Sequence, residues 1–214
     1  MSFVHHRWPG PGAATQLWLM LPGAYMKPAD FVQAGFVQAL HARGLAHDVA
    51  LLDANVAEVA DGSALLRLQD FLRREAPPGM PLRLLGISLG AHLAMLCLAQ
   101  GDEAARRADG AVLLAPYLGP RDVVAEVATA GLAQWSPACI AGNDVDRRIW
   151  RWLQRDAARH ELHLGYGADD RFAPAHALMA QALPPQCVDV QPGDHAWPVW
   201  TQLWQRHLER THGR

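Results

Sequence analysis

A single lysine, Lys27, and a net charge of −2 over 214 residues leave no basic tract to neutralise phosphates or lie against an anionic membrane. Neither nucleic acid nor a membrane is therefore expected as a partner. Cysteine is nearly as scarce. Cys97, Cys139 and Cys187 are odd in number and share no CxxC spacing, which argues against a disulfide framework and a thiolate zinc site. Each is expected to be a small buried hydrophobe. No apolar run approaches the roughly 20 residues of a membrane span, and residues 1–12 lack the apolar stretch of about 7–15 residues that marks a secretory signal. A soluble cytoplasmic protein is expected. The eleven histidines are not scarce, but His5-His6 and His160 with His163 lack the HExxH order and any carboxylate or cysteine at ligand spacing. No metal and no other cofactor is expected, and most histidines read as surface or capping residues.

What is present is an apolar, alternating chain. Half of the residues are apolar, enough for one sizeable core and too few residues for two ordinary domains, so residues 1–214 read as one domain. Short apolar runs predict strands at Leu17–Leu21, Val49–Asp53, Pro81–Leu85, Ala111–Leu114, His160–Tyr166 and Cys187–Val190, with an antiparallel edge strand at Phe3–His6. Helices are predicted at Pro28–Arg43, stopped by Gly44, after a cap at Ser63, after Ser88, and over Ala196–His212. Strands separated by helices predict an α/β fold: a mostly parallel sheet of about six or seven strands with helices on both faces. Residues 119–159 exceed a simple crossover. They predict helices near Arg121–Ala130 and Asn143–Ala157 around a break at Trp135-Ser136-Pro137, a segment suited to a small cap over a pocket. Trp150, Trp152, Trp200 and Trp204 fall at helical spacing and read as core.

Serine occurs only four times, yet one serine stands in Gly86-Ile87-Ser88-Leu89-Gly90. A chance glycine two residues to each side of some serine is expected roughly 0.03 times, so the match carries weight without being proof. Its setting adds to that weight. A predicted strand leads in, and Ala91, Ala94, Met95 and Leu98 follow at helix-face spacing. A serine on so sharp a strand-to-helix turn is held in a strained backbone, with its hydroxyl above the sheet, and glycines flank it because a Cβ would crowd the crossing. The plain alternative is a glycine-rich turn without chemistry. Serine is a poor nucleophile unless a base, a group to orient that base and oxyanion donors are supplied. An acidic turn, Gly167-Ala168-Asp169-Asp170-Arg171-Phe172-Ala173-Pro174, follows one predicted strand, and Gly193-Asp194-His195-Ala196-Trp197 follows the last. The order Ser, Asp, His is that of one serine-hydrolase architecture and not of the chymotrypsin or subtilisin folds.

On these segments the chain resembles the α/β-hydrolase superfamily, its serine esterases and thioesterases in particular, from the Leu17 strand to the final helix. In many members the acid lies in a turn written G-x-x-D, then a basic or small residue, an apolar residue and proline. Gly167–Pro174 looks like that turn and points to Asp170, with Asp169 left open as its neighbour. The histidine turn resembles GGHxW, with Asp194 in place of the second glycine. Leu21-Pro22-Gly23-Ala24-Tyr25 resembles the family's HG loop with proline for histidine, which implies Ala24 N–H and Leu89 N–H as oxyanion donors, or Tyr25 if the loop is offset by one. The resemblance implies a Ser88–His195–Asp170 triad hydrolysing a small-molecule acyl ester or thioester, most simply as a carboxylesterase. A lactone or amide is served by the same triad, and loss of a triad member would instead leave a binding module. Tyr25, Tyr117, Leu118, Trp135 and Trp197 lie in loops at the predicted strand ends and are expected to line the pocket. Arg121 and Arg171 are candidates for an anion but read as solvent-exposed.

Overall fold

The computed structural model describes residues 6–9 and 11–213. Its centre is a sheet whose strands are β1 (His6–Trp8), β2 (Gln16–Leu21), β3 (His47–Leu51), β4 (Leu82–Ile87), β5 (Gly110–Leu114), β6 (Glu161–Gly167) and β7 (Val188–Gln191). They lie in the order β1-β3-β2-β4-β5-β6-β7. Strands β2 to β7 run parallel and β1 pairs antiparallel with β3. The expected edge strand is thus present but sits at His6–Trp8. Residues 3–5 of its expected range lie outside the described residues. Strands β2, β4 and β5 are buried along nearly their whole length, which is why they read as continuous apolar runs and not as alternating ones.

The helices depart from expectation where they are short. The helix expected over Pro28–Arg43 is two, α1 (Pro28–Gln33) and α2 (Phe36–His41), because Gly35 between them adopts φ 81°, a left-handed conformation open to glycine. The break lets Phe31 and Phe36 meet edge to face with ring centroids 5.3 Å apart. An unanticipated five-residue helix, α3 (Val56–Ala60), is held by a capping box between Asn55 and Glu58. In α4 (Ser63–Asp70) the cap is Gly62, and Ser63 is already helical, donating its N–H to Asp61 Oδ1 at 2.8 Å. The helix after Ser88, α5 (Leu89–Ala99), is buried on all faces and not on one stripe, because it lies between the sheet and other helices. A further short helix, α6 (Glu103–Arg107), is capped by Asp102.

The long crossover holds α7 (Arg121–Ala130), as expected, and α8 (Val145–Arg155), shorter than expected at both ends and capped by Asp144. Arg147 ties the two together through Glu126, and Gln154 donates to the carbonyls of Leu132 and Trp135. Helix α9 (Ala173–Ala180) and α10 (Trp197–His212) complete the layers. Trp150, Trp152, Trp200 and Trp204 are all buried. Around α10 a continuous row of ring contacts runs from His195 through Trp200, Trp197, Phe36 and Trp204 to His207. Two cysteines and four histidines depart from expectation. Cys139 is exposed and Cys187 half-buried, leaving Cys97 as the buried one. His47, His92, His176 and His207 are buried, not superficial. Among the described residues no helix is long and apolar enough to cross a membrane, and no group of three histidine, cysteine or acidic side chains is placed to hold a metal ion.

Candidate active site

Strand β4 ends at Ile87, and the chain turns into α5 through Ser88 at φ 52° and ψ −111°, a conformation L-residues rarely occupy. The end of β5 and the loop after it hold it there. Ser88 N–H donates to Leu114 O at 2.9 Å, and Ser88 O accepts from Tyr117 N–H at 3.0 Å. Glycine is required on both sides. A Cβ at Gly86 would run into the backbone of Ala91, and one at Gly90 into the carbonyl of Leu21. The close approach at Gly90 is what brings the β2 loop, which carries Ala24, against the start of α5. Another non-glycine residue with positive φ, the buried Ala115 at 46°, lies directly after β5 and adds strain to the same edge of the site.

Three side chains predicted from sequence converge there. Ser88 Oγ lies 3.1 Å from His195 Nε2, and His195 Nδ1 lies 2.6 Å from Asp170 Oδ2. A carboxylate can only accept, so Nδ1 carries the proton and Nε2 is left to accept from the serine hydroxyl. Asp170 is buried, which works against its charge, but hydrogen bonds from His195 and from Phe172 N–H at 2.8 Å outweigh burial and hold the carboxyl below its ordinary range. The geometry separates the two adjacent aspartates. Asp169 is exposed, and its Oδ2 accepts Gly193 N–H at 3.0 Å, pinning the histidine loop and not the imidazole. Phe172 and Trp200 pack edge-on against the His195 ring at 5.4 and 5.0 Å.

The N–H groups of Ala24 and Leu89 have no hydrogen-bond partner among the described residues, whereas Gly23 N–H is taken by Met26 Sδ at 3.2 Å. Beside these three side chains opens a cleft of about 410 Å³, walled by Leu118, Gly119, Val124, Ala125, Phe172, Pro174 and Ala175, with Arg121 and Arg171 completing its lining. Of the five expected pocket residues, the cleft is lined by Leu118 alone. Tyr25, at φ 62° on a tight turn, is thrown outward and 94% exposed. Trp135 is turned into the core, 2% exposed, with its indole N–H on Glu126. Tyr117 packs on His92 at 5.3 Å, and Trp197 joins the rings of Phe31, Phe36 and Trp200. Val124, Phe172 and Ala175 are lining residues that sequence reasoning missed. They lie on or beside α7 and α9, whose orientation no local pattern fixes.

Two buried histidines flank these three side chains. His92, one turn beyond Ser88, approaches Tyr117 O at 3.2 Å, and burial pushes it down to about 4 against the opposing effect of that hydrogen bond. His176 approaches Pro116 O at 3.0 Å and is also pushed down to about 4, by burial first, with the field of Asp170 opposing. Both therefore stand neutral around the site at neutral pH.

No protein-family profile and no curated protein matches the chain. Solved structures do. The monoacylglycerol lipase of Paleococcus ferrophilus superposes with a TM-score of 0.67 at 12% identity, covering 98% of each chain. The S-formylglutathione hydrolase FrmB of Staphylococcus aureus gives 0.64 at 15% identity over 92% of this chain and 81% of its own. The bottromycin epimerase BotH gives 0.58 at 18% identity over 95% of this chain and 92% of its own. Two hydrolases and an epimerase share the scaffold, so the likeness speaks for architecture and leaves the chemistry to the site. In strand order, layering and these likenesses, the chain has the α/β-hydrolase fold.

Proposed function

We propose that the protein is a serine hydrolase that cleaves carboxylic esters through an acyl-enzyme on Ser88. One observation carries the reading: a single imidazole, His195, spans the Ser88 hydroxyl at 3.1 Å and a buried carboxylate, Asp170, at 2.6 Å. In this reaction Ser88 Oγ attacks the ester carbonyl while His195 Nε2 takes its proton, and Asp170 holds the imidazole in that tautomer and stabilises its charge. The oxyanion is met by the free N–H groups of Ala24 and Leu89. His195 then protonates the leaving alcohol and later activates the water that releases the acid. Residues 1–214 act as one domain, with residues 119–159 as a small cap supplying one wall of the cleft. That two structural neighbours are named as a monoacylglycerol lipase and an S-formylglutathione hydrolase agrees with hydrolytic chemistry on this scaffold.

Turnover of a p-nitrophenyl acyl ester by Ser88→Ala is expected to fall by at least about a thousandfold with the fold intact by circular dichroism. A fluorophosphonate probe is expected to label the parent at Ser88. Retained turnover in the variant, or an unlabelled serine, would sink the assignment. Matched oxygen esters and thioesters of one acyl chain, compared by kcat/KM, distinguish an esterase from a thioesterase.

A further inference from the structure

The cleft beside the triad is apolar on its walls and charged only at two residues, both arginine. Arg121 is the first residue of α7, and Arg171 belongs to the acid turn that carries Asp170, so the two come from separate segments to line one space. Neither forms an ion pair with a carboxylate among the described residues, in contrast to Arg67, Arg83, Arg147 and Arg206, which all do. The Arg171 guanidinium is stacked over the Phe172 ring, 4.7 Å from its centroid, which orients it on a cleft wall. Of the nearby acids, Asp170 is engaged on His195, Asp169 on Gly193 N–H, and Asp122 is exposed, while Asp146, packed beside the lining Gly119, is pushed above the ordinary carboxylate range by burial, toward its neutral form. Unneutralised cations bordering an apolar cleft fit an apolar chain that carries negative charge.

We infer that Arg121 and Arg171 make this cleft a subsite for an anionic oxygen group, a carboxylate or a phosphate, borne on an alkyl or aryl chain that fills the apolar walls. The inference rests on the hydrolase reading for its place in a reaction, because Phe172 touches both the cleft and His195 and so puts the subsite next to the scissile bond. The planar forks of arginine donate to either group in bidentate fashion.

Equilibrium binding by calorimetry tests it without any need for turnover. Hexanoate, hexyl phosphate and 1-hexanol are titrated into the parent chain and into an Arg121→Gln/Arg171→Gln double variant whose fold is checked by its melting temperature. One or both anions are expected to bind the parent about tenfold more tightly than the alcohol, as two partly solvated ion pairs would give. Which of the two does so identifies the group. The preference is expected to vanish in the double variant and to shrink at about 1 M NaCl. Equal affinity for all three ligands in the parent would overturn the inference. So would a preference that survives in the double variant, which would place the anion at the oxyanion donors instead. Turnover of p-nitrophenyl acetate by the parent is read separately. Turnover without anion preference removes only the subsite, whereas anion preference without turnover removes only the hydrolase reading.

Discussion

At the scale of single residues, two adjacent aspartates have different tasks. Asp170 is buried and faces the imidazole, whereas Asp169 is exposed and holds the backbone of the histidine loop. Asp170→Asn keeps the shape but offers an amide that can satisfy the wrong imidazole tautomer, so kcat is expected to fall on the order of 10³–10⁴-fold. Asp169→Ala leaves the tautomer alone and is expected to cost no more than about tenfold, through a less firmly placed loop. Steady-state rates for the two variants on one ester check this, and reversed magnitudes would move the acid to Asp169. The turn pattern, with an acid three residues after Gly167, pointed to Asp170 and left Asp169 open as its neighbour. What separates them is which side chain points inward, and that depends on how the turn leaves β6. The same limit explains Tyr25 and Trp135. Their positions in strand-end loops were legible, but one is expelled by a positive φ and the other is buried in the core with its indole N–H donating to Glu126.

At the scale of elements, the strand-to-helix turn is governed by contacts that leave no room. A methyl group at Gly90 would meet the carbonyl of Leu21, which is backbone and cannot swing aside. Gly90→Ala is therefore expected to destabilise the fold by about 3 kcal/mol or more and to displace the loop bearing Ala24, since overpacking against rigid neighbours must move the backbone. Gly35→Ala meets no neighbour and strains only its own φ, so about 1 kcal/mol is expected. Denaturant midpoints of the two variants, converted to free energies, give the comparison, and near-equal losses would contradict it. The strands were legible because burial on both faces leaves a continuous apolar run between turn residues. The helices α3 and α6, at five residues each, are too short for a periodic stripe to register, and the break at Gly35 sits inside an otherwise acceptable helical pattern.

At the scale of the whole molecule, burial of neutral histidines couples stability to pH. Burial holds His92 and His176 at about 4 in the folded protein, below the ordinary value near 6.5. Above that ordinary value the rings are neutral in both states and contribute nothing. As the pH falls from about 6.5 toward 4, the unfolded chain takes up protons that the folded one refuses, and stability is lost by on the order of 3 kcal/mol per ring. His207, pushed down to about 2 by burial and by the neighbouring His163, Arg210, Arg83 and His212, adds to the loss. The opposite case is Asp170, whose contribution is present above its unfolded value and lost only as the pH falls through the lower folded one. Urea midpoints are expected to drop steeply between pH 7 and pH 5, and less so in His207→Phe, which keeps the ring stacked on Trp204 and removes the titrating nitrogens. A flat profile would mean that these rings are not held neutral. Because the row of rings that ends on His207 begins at His195, with Trp200 edge-on to that imidazole at 5.0 Å, the protein carries its own optical reporter. Emptying the His195 ring position in His195→Ala is expected to change the emission of Trp200, so fluorescence of the parent and the variant reads the packing of the imidazole proposed as the general base, with no substrate present.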